Sequence, residues 1–335
     1  METNEDFFYL WQKKIKRIKT QEDFFALSKE AFLFQYTNNK IYQQWCNLLD
    51  CKVENINSLD DIPFLPIEFF KKQEITCFAS TTPEDFFLSS ATGSMQRSKH
   101  LVYDKRYYIE NTFDCFAQFF SDVERYAFIC LLPNYLEQEH SSLICMMEAF
   151  VKKSLYKQSG FYAHNLQEVV KVLQYNERLR IPTILFGVTY ALLDLAENYE
   201  LNLKNTLVFE TGGMKGRRKE MPKQLVHKIL EQNLGVNNIF SEYGMCELFS
   251  QSYSKGKGIF FCPRQMKVQI IEINDYKNTL HAGGKGIINI IDLANISSCC
   301  FIRTQDMGMQ YDNGGFSILG RVDYSDIRGC NLMYQ

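Results

Sequence analysis

Apolar residues recur every three or four positions through FFYLWQKKI and FFALSKEAFLFQY, which predicts amphipathic helices over residues 1 to about 60. The two prolines of DDIPFLPIEFF then impose an extended stretch. After it the rhythm changes. YAFICLLP is an apolar run of strand length, and SSLICMMEAFVKKS behind it has helical spacing with Ser141 placed as an N-cap. IPTILFGV reads as a second buried strand and TYALLDLAENYE as the helix that follows; NTLVFETGG runs into a basic helix, and NNIFSEYGM comes next. Strands alternating with helices of roughly ten to fifteen residues specify a mainly parallel, helix-covered sheet, so the expected fold class is α/β. From about Cys262 the helices drop out, and MKVQIIEI, KGIINIIDL, CFIRTQDMGMQYD and GFSILGRVD, joined by Gly, Asn or Asp turns, predict a β subdomain. The expected organisation is a helical segment over 1–60, an α/β body over 61–261 and a β subdomain with a C-terminal tail over 262–335.

Composition adds bounds. With 335 residues, 46% of them hydrophobic, the chain can bury a large core and split into lobes. Its 37 basic and 39 acidic residues leave a formal net charge of −2 with no long run of one sign, which argues against a nucleic-acid partner. The N-terminus lacks the pattern of a secretory signal, and no stretch is long and apolar enough for a membrane span. Eleven cysteines without C-x-x-C spacing, several inside apolar runs, are expected as buried free thiols in a reducing cytoplasm rather than as a zinc site; this includes the adjacent Cys299 and Cys300.

In an open α/β sheet, ligands collect at the carboxyl ends of the strands. Four loops with unusual chemistry are expected there: SSATGSMQRSK, ETGGMKGRRKE, SEYGMCE and RTQDMG. The first packs hydroxyls around one glycine and follows them with Arg97, Lys99 and His100; it reads either as a hairpin turn or as a phosphate cradle of backbone N–H groups, hydroxyls and basic groups. In SEYGMCE, Glu247 is a carboxylate able to hold a Mg²⁺ that bridges phosphate oxygens, or else a surface carboxylate, and Tyr243 could stack on a base or lie buried. Asp306 can accept two hydroxyls at once or serve a β-turn. Neither a G-x-x-x-x-G-K-[ST] loop nor a G-x-G-x-x-G turn occurs, so kinase-like and dinucleotide-binding classes recede.

These motifs, in this order, resemble the adenylate-forming superfamily, whose members join a carboxylic acid to ATP, release pyrophosphate and hold an acyl-AMP. SSATGSMQRSKH is similar to its phosphate loop, with Ala91 where the family usually has glycine; EYGMCE is similar to Y-G-x-T-E, with Cys246 in place of the threonine; RTQDMG is similar to R-T-G-D, and GRVDYSDIRG to the hinge motif. The resemblance implies that Ser89, Ser90, Thr92, Gly93, Ser94 and Lys99 hold phosphates, that Gly212, Gly213, Tyr243, Gly244 and Met245 line the nucleotide site, that Asp306 grips the ribose hydroxyls, and that Arg321 reaches the nucleotide. ATP and Mg²⁺ on Glu247 are the implied cofactors. LLPNYLEQEHSSLICMM and ETGGMKGR further resemble the LuxE-type acyl-protein synthetases, which activate fatty acids and pass the acyl group to a cysteine near their own C-terminus. That position is filled here by Cys330, with Cys246 the next candidate. The sequence ends fourteen residues after Arg321, so the superfamily's mobile lid and its catalytic lysine are expected to be absent, with Lys215, Arg217 and Arg218 supplying part of the missing positive field. Implied partners are a fatty or other carboxylic acid and an acyl-reductase or acyl carrier. The alternatives are a phenylacetate-type ligase that uses coenzyme A or a carrier thiol, and a nucleotide-binding scaffold that has lost turnover.

Overall fold

The computed structural model describes residues 4–90, 96–132, 139–162, 165–212 and 221–322. Three helices open the chain: α1 (Asn4–Lys16), α2 (Gln21–Asn38) and α3 (Lys40–Leu48). Thr20 starts α2 with a capping box, its hydroxyl accepting from the Asp23 N–H at 3.1 Å while the Asp23 carboxylate accepts from the Thr20 N–H at 3.0 Å. Asn39 caps α3 through its Oδ1. A short β1 (Leu65–Pro66), a single turn α4 (Phe69–Lys72), and a hairpin of β2 (Asp85–Leu88) and β3 (Lys99–Val102) lead into α5 (Lys105–Ala117).

The expected alternation follows: β4 (Ala127–Leu131), α6 (Ser142–Lys153), β5 (Gly160–Phe161), α7 (Leu166–Leu179), β6 (Thr183–Val188), α8 (Thr189–Asn198), β7 (Thr206–Thr211), α9 (Lys223–Leu234) and β8 (Ile239–Tyr243). Ser141 caps α6, its hydroxyl accepting from the Ile144 N–H. Every residue of β4 and of β6 is buried, as expected for parallel strands covered on both faces. The helix-free half then runs through β9 (Ser252–Ser254), β10 (Phe260–Phe261), β11 (Met266–Ile271), β12 (Lys285–Asp292), β13 (Phe301–Gln310) and β14 (Phe316–Arg321).

Among the described residues, twelve strands form one mixed sheet. Its parallel part runs β5-β4-β6-β7-β8. The antiparallel part continues from β8 through β9, β10, β14, β13 and β12 to β11, with β1 added parallel to β13. The β region therefore extends the parallel sheet edge to edge through β9 and β10. This bonding serves the backbone groups at the edge of β8, which would otherwise be left unpaired.

Two apolar cores lie along this sheet. One gathers around the parallel strands, with Phe116, Phe128, Phe150 and Phe209 at its centre. The other joins Phe8, Trp11, Phe32 and Tyr42 of the N-terminal helices to Ile288, Ile290, Phe301 and Ile302 of the antiparallel strands. The first helices thus share a core with the last strands as well as with Phe87, Tyr107, Tyr108 and Phe249 of the segment between them.

Helix α9 ends at Gly235, whose φ of 66° is left-handed. A Cβ there would meet the Leu201 carbonyl oxygen at 2.7 Å. Gly235→Ala is expected to destabilise the protein by about 1–2 kcal/mol, the cost of the left-handed conformation alone, with the clash adding to it; urea denaturation checks this.

Candidate active site

The loop after β8 carries EYGMCE, and its shape is set by buried polar groups elsewhere in the chain. Asp292, at the end of β12, is fully buried. Its Oδ2 accepts from the N–H groups of Phe249 (2.8 Å) and Ser250 (2.9 Å), and its Oδ1 from the Ser250 hydroxyl (2.6 Å) and the Ala294 N–H (3.1 Å). Burial still pushes its carboxyl above the usual carboxylate range. Asn295 Nδ2 donates to the Glu247 carbonyl at 2.7 Å, and His100 Nδ1 lies 2.8 Å from the Cys246 carbonyl. Three side chains from two distant segments therefore hold the backbone of residues 246–250.

Asp306 is the second fixed point. It is 7% exposed, and its Oδ2 accepts from the Tyr243 hydroxyl at 2.8 Å while its Oδ1 accepts from Arg321 Nε at 3.1 Å. The register of β12 against β13 shifts between Ile287 and Asn289, opening a bulge opposite RTQD. Thr304 closes it: its hydroxyl donates to the Ile288 carbonyl at 2.8 Å and accepts from the Asp306 N–H at 3.0 Å. The Tyr243 ring packs edgewise on Phe316 and tilts against Phe260, and its hydroxyl donates to Asp306.

Glu247 is 5% exposed, with Ser98 hydrogen-bonded to its carboxyl. Burial raises its pKa, outweighing that hydrogen bond and the more distant charges of Arg321 and Lys71. A buried carboxylate with no ion-pair partner within 4 Å among the described residues suits a cation bound by one protein oxygen and by phosphate oxygens, the usual arrangement for Mg²⁺.

The SSATGSMQRSK segment joins β2 to β3, and its residues 91–95 lie outside the described residues. Its base is closed by paired bonds: the Ser89 N–H donates to the Ser98 carbonyl (3.1 Å), the Ser98 N–H to the Ser89 hydroxyl (2.9 Å), and Arg97 to the Ser89 carbonyl. Of the three basic groups, His100 is buried and its pKa is pulled down to about 4 by burial, so it is neutral at pH 7. Lys99 pairs with Glu74 at 3.1 Å and lies over the Phe86 ring. Ser90 is exposed at the edge of the described segment; Thr92, Gly93 and Ser94 lie outside the described residues.

At the end of β7, Gly212 takes a φ of 69°, a conformation that favours glycine. Beside it the buried Glu210 accepts from Lys223 Nζ (2.6 Å), the Ser241 hydroxyl (2.9 Å) and the Thr189 hydroxyl (2.9 Å), with His227 Nε2 at 3.5 Å. Burial alone would raise its pKa, but His227 and Lys223 bring it down to about 2. This cluster ties β7 to the start of α9 across the glycine-rich loop. Glu242 on the neighbouring strand is the opposite case: burial and the Glu210 charge raise it to about 7, against one hydrogen bond from Thr211 at 2.7 Å. Gly244 and Met245 follow Tyr243 and lead into a turn closed by the Leu248 N–H donating to the Met245 carbonyl at 3.1 Å. Gly213, Lys215, Arg217, Arg218 and Cys330 lie outside the described residues.

Sequence reasoning missed Asp292, Asn295 and Glu210. Their available signal was a polar residue inside or ending an otherwise apolar strand, in IINIIDLAN and TLVFET.

With this geometry in view, comparison with known proteins is informative at the level of fold. No family profile and no curated protein matches the sequence. Among solved structures, 2-hydroxyisobutyryl-CoA ligase in its postadenylation state superposes with a TM-score of 0.67 at 11% identity, covering 90% of this chain and 68% of that one. ATP-bound MatB from Rhodopseudomonas palustris gives 0.54 at 14% identity, over 70% of this chain and 47% of that one. The chain has the fold of the adenylate-forming ligases. Within that fold the large mixed sheet and its covering helices are shared with these ligases.

Two outcomes follow from the site's polar anchors. Asp292→Ala should cost roughly 3 kcal/mol or more in urea unfolding, because three buried N–H groups lose their acceptor at about 1–3 kcal/mol each. Because the folded pKa of Glu210 lies below its unfolded value, its contribution is present above about pH 4.5 and is lost as pH falls toward about 2. Thermal melts between these limits should therefore fall more steeply with acid for the parent than for Glu210→Gln.

Proposed function

We propose that this protein activates a carboxylic acid with ATP as an acyl-AMP and transfers the acyl group to a thiol. The observation that carries the reading is the buried Asp306 carboxylate, held between Tyr243 and Arg321 within an adenylate-forming fold. Each Asp306 oxygen retains acceptor capacity beyond its one bond from the chain, which suits a pair of ribose hydroxyls. Arg321 is the more exposed partner, with 77% of its side chain open to solvent, which leaves it accessible to a nucleotide.

In the first half-reaction a carboxylate oxygen of the acid bonds to the α-phosphorus of ATP and the bond to pyrophosphate breaks. Glu247 is the residue that would hold Mg²⁺, which supplies neutralisation of phosphate charge when bound. On the resemblance to the superfamily, Ser89, Ser90, Thr92, Gly93 and Ser94 would orient the β- and γ-phosphates, and Gly212, Gly213 and Lys215 would serve the same nucleotide. In the second half-reaction a thiolate adds to the acyl carbonyl and AMP leaves with the bonding electron pair. The chain's work is mostly positioning and charge compensation.

We take a fatty acid as the substrate and Cys330 as the acceptor, on the resemblance to LuxE-type synthetases. Thiol chemistry supports that choice. All ten described cysteines are unpaired, and burial raises the pKa of every one, including Cys246, so thiolate is scarce among them at neutral pH. Unpaired thiols also fit a cytoplasmic setting, and no helix among the described residues is long and apolar enough to cross a membrane. A second reading, transfer to coenzyme A, is favoured by the similar 2-hydroxyisobutyryl-CoA ligase, which has been captured with 2-HIB-AMP and CoA. An acyl carrier or acyl reductase would be the next partner in either case.

Glu247→Gln is expected to abolish Mg²⁺-dependent ATP–pyrophosphate exchange while preserving the fold; exchange at the parent rate would remove the cation from this residue. Asp306→Ala should weaken ATP binding about ten- to a hundredfold, the equivalent of a charge-assisted contact of about 1.5–3 kcal/mol, as read by calorimetry. Cys330→Ser should keep exchange but lose covalent labelling by radioactive fatty acid with ATP. Exchange without labelling in the parent would instead assign the acyl group to coenzyme A or a carrier.

A further inference from the structure

A cavity of about 520 Å³ lies between α3, with the segment that follows it, and one face of β11–β13. Its size suits a small organic molecule. Trp45, Leu49, Phe64 and Ile271 give it apolar walls. Its floor is a row of three side chains across the strands: Gln269 pairs in register with Asn289, and Asn289 with Arg303. The amide oxygens of Gln269 and Asn289 are sealed within the floor and offer an occupant nothing. The groups open to the cavity stand at the two ends of the row.

At the β13 end, Arg303 is half-buried and lines the cavity. A guanidinium carries five N–H donors, and Arg303 uses one in a long bond, Nη2 to the Ile273 carbonyl at 3.4 Å; it has no ion pair within 4 Å among the described residues. At the β11 end, Asp60 is held through Oδ1, which accepts from Gln269 Nε2 at 2.6 Å and from the Thr279 hydroxyl at 2.8 Å. Its side chain is exposed, and Oδ2 has no donor among the described residues. A half-buried guanidinium with unused donors calls for a carboxylate. A simple anion is disfavoured, because four acidic side chains line the cavity against three basic ones. A molecule that carries one charge of each sign meets both conditions. Paired strands stand about 4.7–4.9 Å apart, so the row spans about 10 Å; a carboxylate and an ammonium on one carbon, with a charge-assisted bond of about 2.7–2.9 Å at each end, fit that length.

We propose that this cavity is a second small-molecule site, for a free α-amino acid with a large apolar side chain. The carboxylate would accept from Arg303, the ammonium would donate to Asp60 Oδ2, and the side chain would lie against Trp45 and Phe64. The site is separate from that of ATP: Asp306, three residues beyond Arg303, is bonded to Tyr243 and Arg321, and the ladder irregularity closed by Thr304 lies between them. It does not depend on which acid the ATP site activates.

The test is calorimetry of the full chain with L-tryptophan, L-phenylalanine and L-leucine, in parallel with ATP. At least one is expected to bind, and its methyl ester, which lacks the carboxylate, and its N-acetyl derivative, which lacks the ammonium, should each bind at least about tenfold more weakly. Arg303→Met and Asp60→Asn should each weaken the amino acid about ten- to a hundredfold and leave the ATP affinity unchanged. Asp60→Asn keeps an acceptor oxygen for Gln269 and Thr279 and removes only the charge. The proposal is overturned by no binding of the three at millimolar concentration, by an ester or N-acetyl derivative that binds as tightly, or by binding that survives both substitutions. An amino acid that drives ATP–pyrophosphate exchange and whose binding is lost in Asp306→Ala belongs to the ATP site, which would refute a second one. Should Arg303→Met fail to fold, Asp60→Asn decides.

Discussion

The Asp292 carboxylate is the contact on which the rest of the site depends. It is charged chemistry buried at the end of an apolar strand, and it is tolerated because four donors converge on its two oxygens. Two of those donors are the backbone N–H groups of Phe249 and Ser250, so the carboxylate fixes the exit of the loop that begins at Tyr243. Without that acceptor the loop would lose its curvature, and Glu247 would no longer be held beside Ser98.

The constraint reaches back to the first helices. Residues 293–300 follow Asp292 and are gripped from the N-terminal segment: Trp11 Nε1 donates to the Leu293 carbonyl at 2.7 Å, Gln35 Nε2 to the carbonyls of Asn295 and Ile296, and Asn39 Nδ2 to the Ser298 carbonyl at 2.9 Å. The Cys300 N–H donates back to Gln35 Oε1. Asn295 then carries this order forward to the Glu247 carbonyl. Helices that look remote in sequence are thus part of the support of the site, and their shared core with the antiparallel strands supplies the apolar burial that keeps these hydrogen bonds dry.

The two halves of the sheet contribute different things. The parallel half ends in Glu210 and Gly212, which bind β7 to α9 and frame the glycine-rich loop. The antiparallel half offers Asp306 on one side of a bulge and Arg303 on the other. One irregularity in one ladder thereby parts Arg303 from Asp306 along β13.

The succession of elements was legible in the sequence because it rests on local periodicity. Parallel strands such as AFICL and TILFGV are uninterrupted apolar runs, and helices such as α6 carry their own caps. The motif residues Tyr243, Glu247, Asp306 and Arg321 were also visible, since their types and order suffice to suggest nucleotide chemistry. What the chain order could not disclose was which distant groups meet. His100, read as a cation, becomes a neutral buried ring against the Cys246 carbonyl, and Lys99 turns to Glu74, because protonation and direction are set by burial and by neighbours. Asp292 and Asn295 gain their roles only when β12 brings them under the loop after β8. Hydrophobic rhythm is a property of neighbours along the chain, whereas the satisfaction of a buried polar group depends on partners 40 to 260 residues away, and that the tertiary structure alone decided.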